Sequence, residues 1–533
     1  MTIVSLAFFL FVTATVLLYY LVPKKYRWAV LLAASWVFYW VNGKLLVLVL
    51  LGVSLVTWLI GLWIQRINDR SAAFLKERGK ELPREERRAR KEAAKRVARR
   101  VLTLGILADL AVLLFLKYFN FFGSNLNLLL RKFGVEGEPV PHLNLLLPLG
   151  ISFYTLQAIS YMTDVFRGKV RADRNPVKFL LFMSFFPQIV QGPIPRYGQL
   201  AQQLYEGHGF EYKRLCHGAQ LMLWGVLKKL VIAERLAIPV ATVFGNYTEY
   251  AGPINFFAVA LYGLQVYADF SGGMDIARGV AQMVGVELEQ NFAQPYFSAS
   301  IEDFWRRWHI TMGHWMRDYV FYPLSLSKAF TNLSRKSRKL LGQFMGKRLP
   351  SFLAMFIVYF LVGFWHGSSW KYVAFGLWNG VIIMLGILLE NVYRISREKC
   401  GIREESFGWR VFRRVRTFVI VSFGRFFSGA GSLSAAVLLF RNTFRTRNVT
   451  FLTNGTLLKL GLETSDWIVL IFSVLTLFAV DLAHEKKIEI RAGIDRQSLV
   501  FRWIVYIAAV LIVLILGLYG PAYNAASFIY EQF

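Results

Sequence analysis

The sequence of 533 residues is poor in charge, and especially in acidic residues and cysteine. Charged side chains make up 18% of the chain, whereas about 25% is usual in soluble domains. The two cysteines, Cys216 and Cys400, lack the spacing of a disulfide pair, a metal site or a redox motif. The composition therefore argues against a soluble globular domain, and we assign no chemistry to the cysteines.

Several motifs of known catalytic chemistry are also missing. The chain has no G-x-S-x-G elbow, no Walker loop, no G-x-G-x-x-G and no pair of histidines four residues apart with a glutamate for zinc. Cys216 and His217 are adjacent in the chain, which does not make them a catalytic dyad. We therefore expect no metal site and look elsewhere for a catalytic group.

Long apolar runs are what the sequence does contain. It is 56% hydrophobic and 16% aromatic, and runs of about 18 or more apolar residues predict membrane-spanning helices. Strands are not expected, because open sheet edges cannot lie in lipid. We predict an all-α polytopic membrane protein, one domain over residues 1–533, with about ten to twelve crossing or re-entrant helices. The simple spans are predicted near Ile3–Leu21, Trp28–Val41, Leu45–Ile64, Val101–Phe119, Leu145–Val165, Gln220–Phe244, Ile254–Val284, Tyr372–Leu389, Val411–Leu439, Trp467–Leu482 and Val500–Tyr519.

The net charge of +29 would suggest nucleic acid in a soluble protein. Here the basic residues concentrate in alternate loops, which is typical of cytoplasmic loops. We therefore expect no nucleic-acid binding, but contact with anionic lipid headgroups, an acidic cytoplasmic partner or a phosphate-bearing donor. The most charged segment, Arg66–Arg100, is predicted to be a solvated cytoplasmic helix. The alternation places both the N-terminus and the C-terminal FIYEQF outside, with the first helix retained rather than cleaved as a signal peptide.

Two polar stretches interrupt the apolar pattern. Phe179–Tyr197 contains three prolines, so a simple span is not expected, and we predict a re-entrant element. Its Gln188 and Gln191 are candidates either to bind a buried ligand or to satisfy freed backbone groups. In YADFSGGMDIARG, Asp269 and Asp275 are intramembrane carboxylates, which are functional candidates by default.

Two alternatives remain open in this second stretch. Asp275 could simply pair with Arg278, three residues further along a helix. Gly272 and Gly273 are a candidate break in the same helix. The two carboxylates are six residues apart and are not expected to share a helical face.

Residues 301–370 form the central stretch of the chain because they carry two histidines in unusual surroundings. A helical wheel over Phe304–Val320 predicts one amphipathic helix suited to a membrane interface. His309 falls at the edge of its packed aromatic side, whereas His314 falls with the solvated arginines. The aromatic side comprises Trp305, Trp308, Met312, Trp315, Met316 and Tyr319, and the polar side Arg306, Arg307, His314, Arg317 and Asp318.

The second histidine, His366, ends an apolar span and is separated from His309 by a basic loop. It precedes Gly367-Ser368-Ser369, where a helix could break inside the membrane. A buried imidazole there is costly unless it is paired or useful, and neutral histidine is a natural general base near pH 7. A lone buried histidine is more often a packed core residue, and that alternative stands for both positions.

Several stretches resemble the membrane-bound O-acyltransferases, and within them the bacterial alginate O-acetyltransferase branch. The most specific are FFPQIVQGPIPRY, YADFSGGMDIARG, NFAQPYFSASIEDFWRRWHITMGHWMRDYVFYPL and FLVGFWHGSSWKYVAFGLWNG. KYFNFF, LWGVLKKLVIAERLA, FGRFFSGAGSLSAAVLLFRNTF and FIYEQF resemble the same branch, so the likeness covers nearly the whole chain. One departure is DFSGGMDIA in place of the family's DFSGYSDIA, so this chain lacks an aromatic ring and a hydroxyl group there.

The resemblance implies a ring of helices around a tunnel in the bacterial cell membrane. It implies that His366 is catalytic and that His309 is functionally important near the tunnel. No bound cofactor is implied: acetyl-CoA or an acyl carrier thioester is the donor substrate, entering from the cytoplasm. The acyl group would leave outside, towards a polysaccharide acceptor and an SGNH-type partner. We take as candidate substrate contacts Trp305, Trp308, Arg306, Arg307, Asp269, Asp275, Gln188, Trp365 and Ser368.

Three alternatives stay open. The first is D-alanyl transfer to teichoic acid from a carrier protein, within the same superfamily. The second is a polysaccharide or lipid transporter without chemistry, although such folds often contain internal repeats and we find none in the sequence. The third is a structural membrane anchor for a surface complex.

Overall fold

The computed structural model describes residues 1–78 and 81–519, and these ranges are dominated by helices. Six of their helical segments are long and apolar enough to cross a membrane, and Leu6–Leu21 is a shorter apolar helix. The six are Lys24–Glu77, Arg84–Lys132, Lys328–His366, Trp370–Leu388, Thr464–Glu485 and Leu499–Leu516. Apolar side chains on the last two are exposed, such as Phe472 at 67% and Ile515 at 74%, as lipid-facing helices require. The prediction of an all-α polytopic membrane protein is confirmed, whereas the terminal FIYEQF lies outside the described residues.

The chain divides into two compact units, the first being Met1–Ala219 with Ala277–Glu289 and the second Gln220–Ile276 with Gln290–Phe533. The first unit contains α1 Leu6–Leu21, α2 Arg27–Gly43, α3 Val47–Glu77, α4 Arg84–Leu113, α5 Phe119–Lys132, α6 Ile151–Phe166, α7 Pro176–Ser184, α8 Phe186–Ile189 and α9 Tyr197–Tyr205. The described part of the basic segment 66–100 is helical and largely exposed, at the end of α3 and the start of α4. The predicted solvated helix is therefore two helices with a connection between them.

The predicted interruption near Phe179–Tyr197 is present in the first unit. Helix α7 ends at Ser184, and the short α8 is followed by non-helical chain up to α9. The amide freed at Phe186 donates to the Ser35 hydroxyl over 3.1 Å, and the Phe182 carbonyl accepts from Gln157 over 2.7 Å. Buried backbone groups at this break thus have side-chain partners, which is what a chain without access to water requires.

The second unit carries the central stretch. Its helices are α10 Tyr212–Leu227, α11 Glu234–Gly245, α12 Pro253–Met283, α13 Ile301–Arg307, α14 Ile310–Met316, α15 Tyr322–Ser325, α16 Lys328–His366, α17 Trp370–Leu388, α18 Glu390–Lys399, α19 Phe407–Gly429, α20 Leu433–Thr443, α21 Thr464–Glu485, α22 Ile490–Asp495 and α23 Leu499–Leu516. Helices α10 and α12 each have one end in the first unit.

Three predictions about this unit are wrong. The span expected at Val411–Leu439 is two helices, because the chain is non-helical between α19 and α20. The basic stretch between the two histidines is not a loop but the first part of α16, which changes direction at Gly342 (φ 74°). Helix α12 is not broken at Gly272-Gly273. A Cβ atom at Gly272 would lie 2.8 Å from the Gly225 carbonyl oxygen, so this glycine lets α10 pack against α12.

A close helical hairpin positions His366. Helix α16 ends at His366, Gly367 is extended, and α17 begins at Trp370. A Cβ atom at Gly376 of α17 would lie 2.2 Å from the Tyr359 carbonyl oxygen on α16. Glycine is therefore required where the two backbones approach, as is common between helices in membranes.

We expect Gly376→Ala to destabilise the protein by about 1–3 kcal/mol, because the added methyl group must force α16 and α17 apart. Gly386→Ala on the same helix is the matched control, since a Cβ atom there has no neighbour within 4 Å among the described residues. Thermal unfolding of both variants in detergent measures the difference. Equal unfolding temperatures for the two variants would contradict this account of the hairpin.

Candidate active site

His366 opens onto a cavity in the second unit. The side chain is 92% buried, at 8% relative exposure, and it lines this cavity. The other lining residues are mainly aromatic and come from α12, α13 with the turn after it, α17 and α19: Tyr262, Val266, Phe304, Trp305, Trp308, Tyr372, Phe375, Val421, Arg425 and Ser428. An apolar wall with a few polar groups is the composition expected of a small-molecule site.

The predicted continuous helix over Phe304–Val320 is wrong. Helix α13 ends at Arg307 and α14 begins at Ile310, and His309 between them has a left-handed backbone with φ 48° and ψ 54°. A non-glycine residue in this region is uncommon and costs about 1–3 kcal/mol, so it persists only where its surroundings impose it. The wheel that placed His309 and His314 on one helix therefore does not apply, although His309 is buried and His314 exposed as it predicted.

The side chain and backbone of Asn291 hold this turn. The Asn291 carbonyl accepts from the Ile310 amide over 3.0 Å. Its Oδ1 atom accepts from the Thr311 amide over 2.8 Å and from the Thr311 hydroxyl over 2.9 Å. The Ala293 amide donates to the Arg307 carbonyl over 3.0 Å, before the turn. Asn291, although distant in sequence, thus caps the start of α14. Ala293, two residues further along, holds the chain just before the turn.

The turn brings His309 towards His366. The His309 ring packs edge-on against Phe270, with ring centres 4.9 Å apart, and lies 6.0 Å from the Trp365 ring. Trp365 in turn lies 5.2 Å from the ring of His366. His309 lies outside the six candidate spans, and burial, followed by the neighbouring His366, lowers its pKa well below the ordinary value. It is therefore a neutral imidazole near pH 7.

The structure brings only some of the predicted substrate contacts to the cavity. Trp305 and Trp308 line it, and Trp365 lies near both imidazole rings. Arg307 instead pairs with Asp303 at 3.2 Å and Glu485 at 2.6 Å. Two further predicted contacts, Arg306 and Ser368, are exposed.

The two predicted carboxylates are engaged by lysines on the π-helical segment between α10 and α11. Asp269 lies 2.6 Å from Lys229 and Asp275 lies 2.7 Å from Lys228. Glu234 also contacts Lys229, at 2.8 Å. The two aspartates point to different partners, as their spacing predicted, and their ion pairs account for their burial without a ligand.

Gln188 lies in the first unit and donates to the Phe182 carbonyl over 3.3 Å. This contact matches the alternative in which the glutamine satisfies a freed backbone group. Gln191 is buried at 1% exposure, and neither of its amide atoms has a hydrogen-bond partner among the described residues. Ligand binding by either glutamine stays a prediction.

Sequence reasoning missed two residues of this region, Asn291 and Arg425. Nothing local marks Asn291, because its role depends on a turn nearly twenty residues away. Arg425 lies in the apolar C-terminal half of α19, and a charge within an apolar stretch is a signal that could have identified it. In the part of the chain that the structure describes, no three His, Cys, Asp or Glu side chains are grouped to hold a metal ion.

Together the fold and the cavity define a class, that of multi-pass helical membrane proteins with buried imidazoles suited to group transfer. The model of the membrane-bound O-acyltransferase family matches residues 161–429, about half of the chain. The chain belongs to this family and is a membrane acyltransferase. The matched range includes both histidines and Arg425.

Individual relatives agree with this assignment. The chain is 34% identical over 416 residues to a protein of Azotobacter vinelandii described as a probable alginate O-acetylase, AlgI, covering 76% of this chain and 73% of the relative. It is 30% identical over 308 residues to the peptidoglycan O-acetyltransferase of Helicobacter pylori, covering 53% and 54%. A teichoic acid D-alanyltransferase of Bacillus subtilis is 29% identical over 254 residues, covering 46% and 59%.

We expect Asn291→Ala to lower the free energy of unfolding by about 1–3 kcal/mol, because it leaves the buried Thr311 amide without its acceptor. Thr311→Val is the matched control: it removes the hydroxyl bond and leaves the amide bond in place. Its effect should be the smaller of the two in detergent unfolding. If Thr311→Val proved as damaging as Asn291→Ala, the amide bond would not be what holds the turn.

Proposed function

We propose that this membrane acyltransferase moves an acetyl group from a cytoplasmic thioester, acetyl-CoA, to an acceptor outside, for O-acetylation of a cell-surface polysaccharide. The position of His366 on an aromatic cavity is the observation that carries the proposal. A buried imidazole with access to such a space can take a proton from a hydroxyl group while water is kept away.

His366 acts as the general base in this reaction. It takes the proton of the acceptor hydroxyl as the hydroxyl oxygen attacks the thioester carbonyl carbon. The carbon–sulfur bond then breaks, and the leaving thiolate takes the proton back from His366. The products are an O-acyl ester and a free thiol, so no oxidant, reductant or metal enters the balance.

His309 has a positioning role in the proposal. Its neutral ring lies near the Trp365 indole, which also packs against the His366 ring, so His309 helps to fix the indole against which His366 packs. Trp305 and Trp308 form the wall on which the acyl donor lies. An imidazole held in a single orientation loses less freedom on reaching the transition state than a mobile one.

The choice of acetyl group and acceptor rests on the relatives. Those named for O-acetylation of alginate and peptidoglycan match with higher identity than those named for D-alanyl transfer. The tunnel, the bacterial cell membrane, the outward-facing N-terminus and an SGNH-type partner that passes the acetyl group to the polysaccharide all belong to this proposal. The basic cytoplasmic segment 66–100 would face the donor and the anionic headgroups.

His366→Ala should reduce acetyl transfer in native membranes by at least about 10²–10⁴-fold, the usual contribution of a general base. His314→Ala is the matched control, because it removes an exposed imidazole from the same central stretch. Transfer of labelled acetyl groups from acetyl-CoA to surface ester, normalised to the amount of folded protein, measures both variants. Undiminished acetylation by the His366 variant would end the proposed mechanism.

The same assay separates the alternatives. If label reached the surface from a D-alanyl carrier protein but not from acetyl-CoA, D-alanyl transfer would replace acetylation as the function.

A further inference from the structure

Arg425 lines the same cavity as His366 and lies near the C-terminal end of α19. It is 5% exposed. Apart from the imidazole, it is the sole ionisable side chain other than tyrosine among the described residues that line this space. A guanidinium group keeps its positive charge throughout the accessible pH range.

The contacts of Arg425 are neutral. Its Nη2 atom donates to the Tyr296 hydroxyl over 2.8 Å. The guanidinium lies over the Trp308 ring, 5.0 Å from its centre. Its Nε atom is buried without a hydrogen-bond partner, and no carboxylate forms a salt bridge with it, among the residues that the structure describes.

Other buried cations of the same unit have carboxylate partners. Lys228 pairs with Asp275, Lys229 pairs with Asp269 and Glu234, and Arg235 pairs with Asp466. A buried cation without a counter-charge costs several kcal/mol, more than a cation–π contact and one neutral hydrogen bond recover. Such a charge is retained where a ligand supplies the negative partner.

The residues of the cavity wall indicate which kind of negatively charged group suits Arg425. A phosphate site normally combines several cations or backbone N–H groups, whereas this wall offers one guanidinium among aromatic side chains. A group that is neutral on entry and becomes negative during the reaction suits it better. A thioester carbonyl is such a group, because its oxygen becomes an oxyanion when a hydroxyl attacks the carbon.

We propose that Arg425 binds the carbonyl oxygen of the acyl donor and stabilises the oxyanion that forms when His366 activates the acceptor hydroxyl. The proposal rests on the proposed function and deepens it. As the new carbon–oxygen bond forms, the hydroxyl proton goes to His366 and the carbonyl π pair moves onto the oxygen facing Arg425. When the carbon–sulfur bond breaks, that pair returns and the thiolate takes the proton from His366.

The test uses full-length protein in native membranes with acetyl-CoA as the donor. Arg425→Gln should lower kcat about 10²–10³-fold, the usual effect of removing an oxyanion donor. The KM for the donor should change by less than about threefold, because the interaction develops only in the transition state. A large rise in KM with unchanged kcat would make Arg425 an anchor for the donor and overturn the proposal.

Tyr296→Phe separates a structural role from this one. It removes the hydroxyl that accepts from Arg425 and donates to the Gly263 carbonyl over 2.6 Å, but leaves the guanidinium charge in place. We expect it to lower kcat by less than about tenfold, since it removes only one neutral hydrogen bond. A loss equal to that of Arg425→Gln would show that Arg425 acts only by holding Tyr296.

Arg425→Lys keeps the proposal testable if the glutamine variant does not fold. Because it retains the charge, its kcat should be at least about tenfold higher than that of Arg425→Gln. If Arg425→Gln does not fold, Arg425→Met is the uncharged variant for this comparison. Equal losses for the charged and uncharged variants would overturn charge stabilisation. His366→Ala in the same membranes distinguishes the two proposals: if it is inactive while Arg425→Gln is fully active, only the oxyanion role of Arg425 fails.

Discussion

The geometry of the candidate site depends on the hydrogen bonds between Asn291 and the turn at His309. In a helical protein surrounded by lipid, every interruption of a helix frees backbone groups that water cannot reach. The candidate site needs such an interruption at His309. In a continuous helix through residues 304–320, the His309 imidazole would follow the direction of α13 instead of turning towards His366. The amide of Asn291 supplies the acceptor that the start of α14 lacks, and the left-handed backbone of His309 is imposed as a result.

The same constraint governs the other interruptions. In the first unit, Ser35 and Gln157 satisfy the backbone groups freed around Phe185. At the end of α16 the solution is different: an extended glycine and a hydrogen bond from the Ser369 amide to the Gly367 carbonyl, 2.9 Å long, turn the chain into α17. A polar side chain lies beside each of these three breaks. The free-energy cost of interrupting a helix thus falls at positions where the direction of a side chain matters.

Sequence reasoning located what local signals encode. Apolar runs predicted the helices, three prolines predicted the break after α7, and Gly367 with two serines predicted that α16 ends at His366.

Sequence reasoning failed where a distant residue decides the outcome. The turn at His309 depends on Asn291, the packing role of Gly272 depends on Gly225 of α10 opposite it, and both partners are unrecognisable in a linear pattern. The ion pairs of Asp269 and Asp275 belong to the same group, since lysines 40 and 47 positions away complete them. Arg425 could have been suspected from its apolar surroundings, but its lack of a carboxylate partner is a property of the folded chain.

The distribution of charge in the second unit bears on how an acyl group could be transferred there. Ion pairs such as Lys229 with Asp269 neutralise charge before any substrate arrives, and they leave little field to act on a reacting group. The cavity is instead walled by rings, with one imidazole and one guanidinium among them. In such surroundings a single positive charge acts strongly on any nearby negative charge, because there is little water to screen it. A neutral thioester gains little from this field until its carbonyl oxygen becomes negative, so the interaction favours the transition state over the bound donor. The aromatic wall that makes the charge costly to bury is thus also what would make it effective.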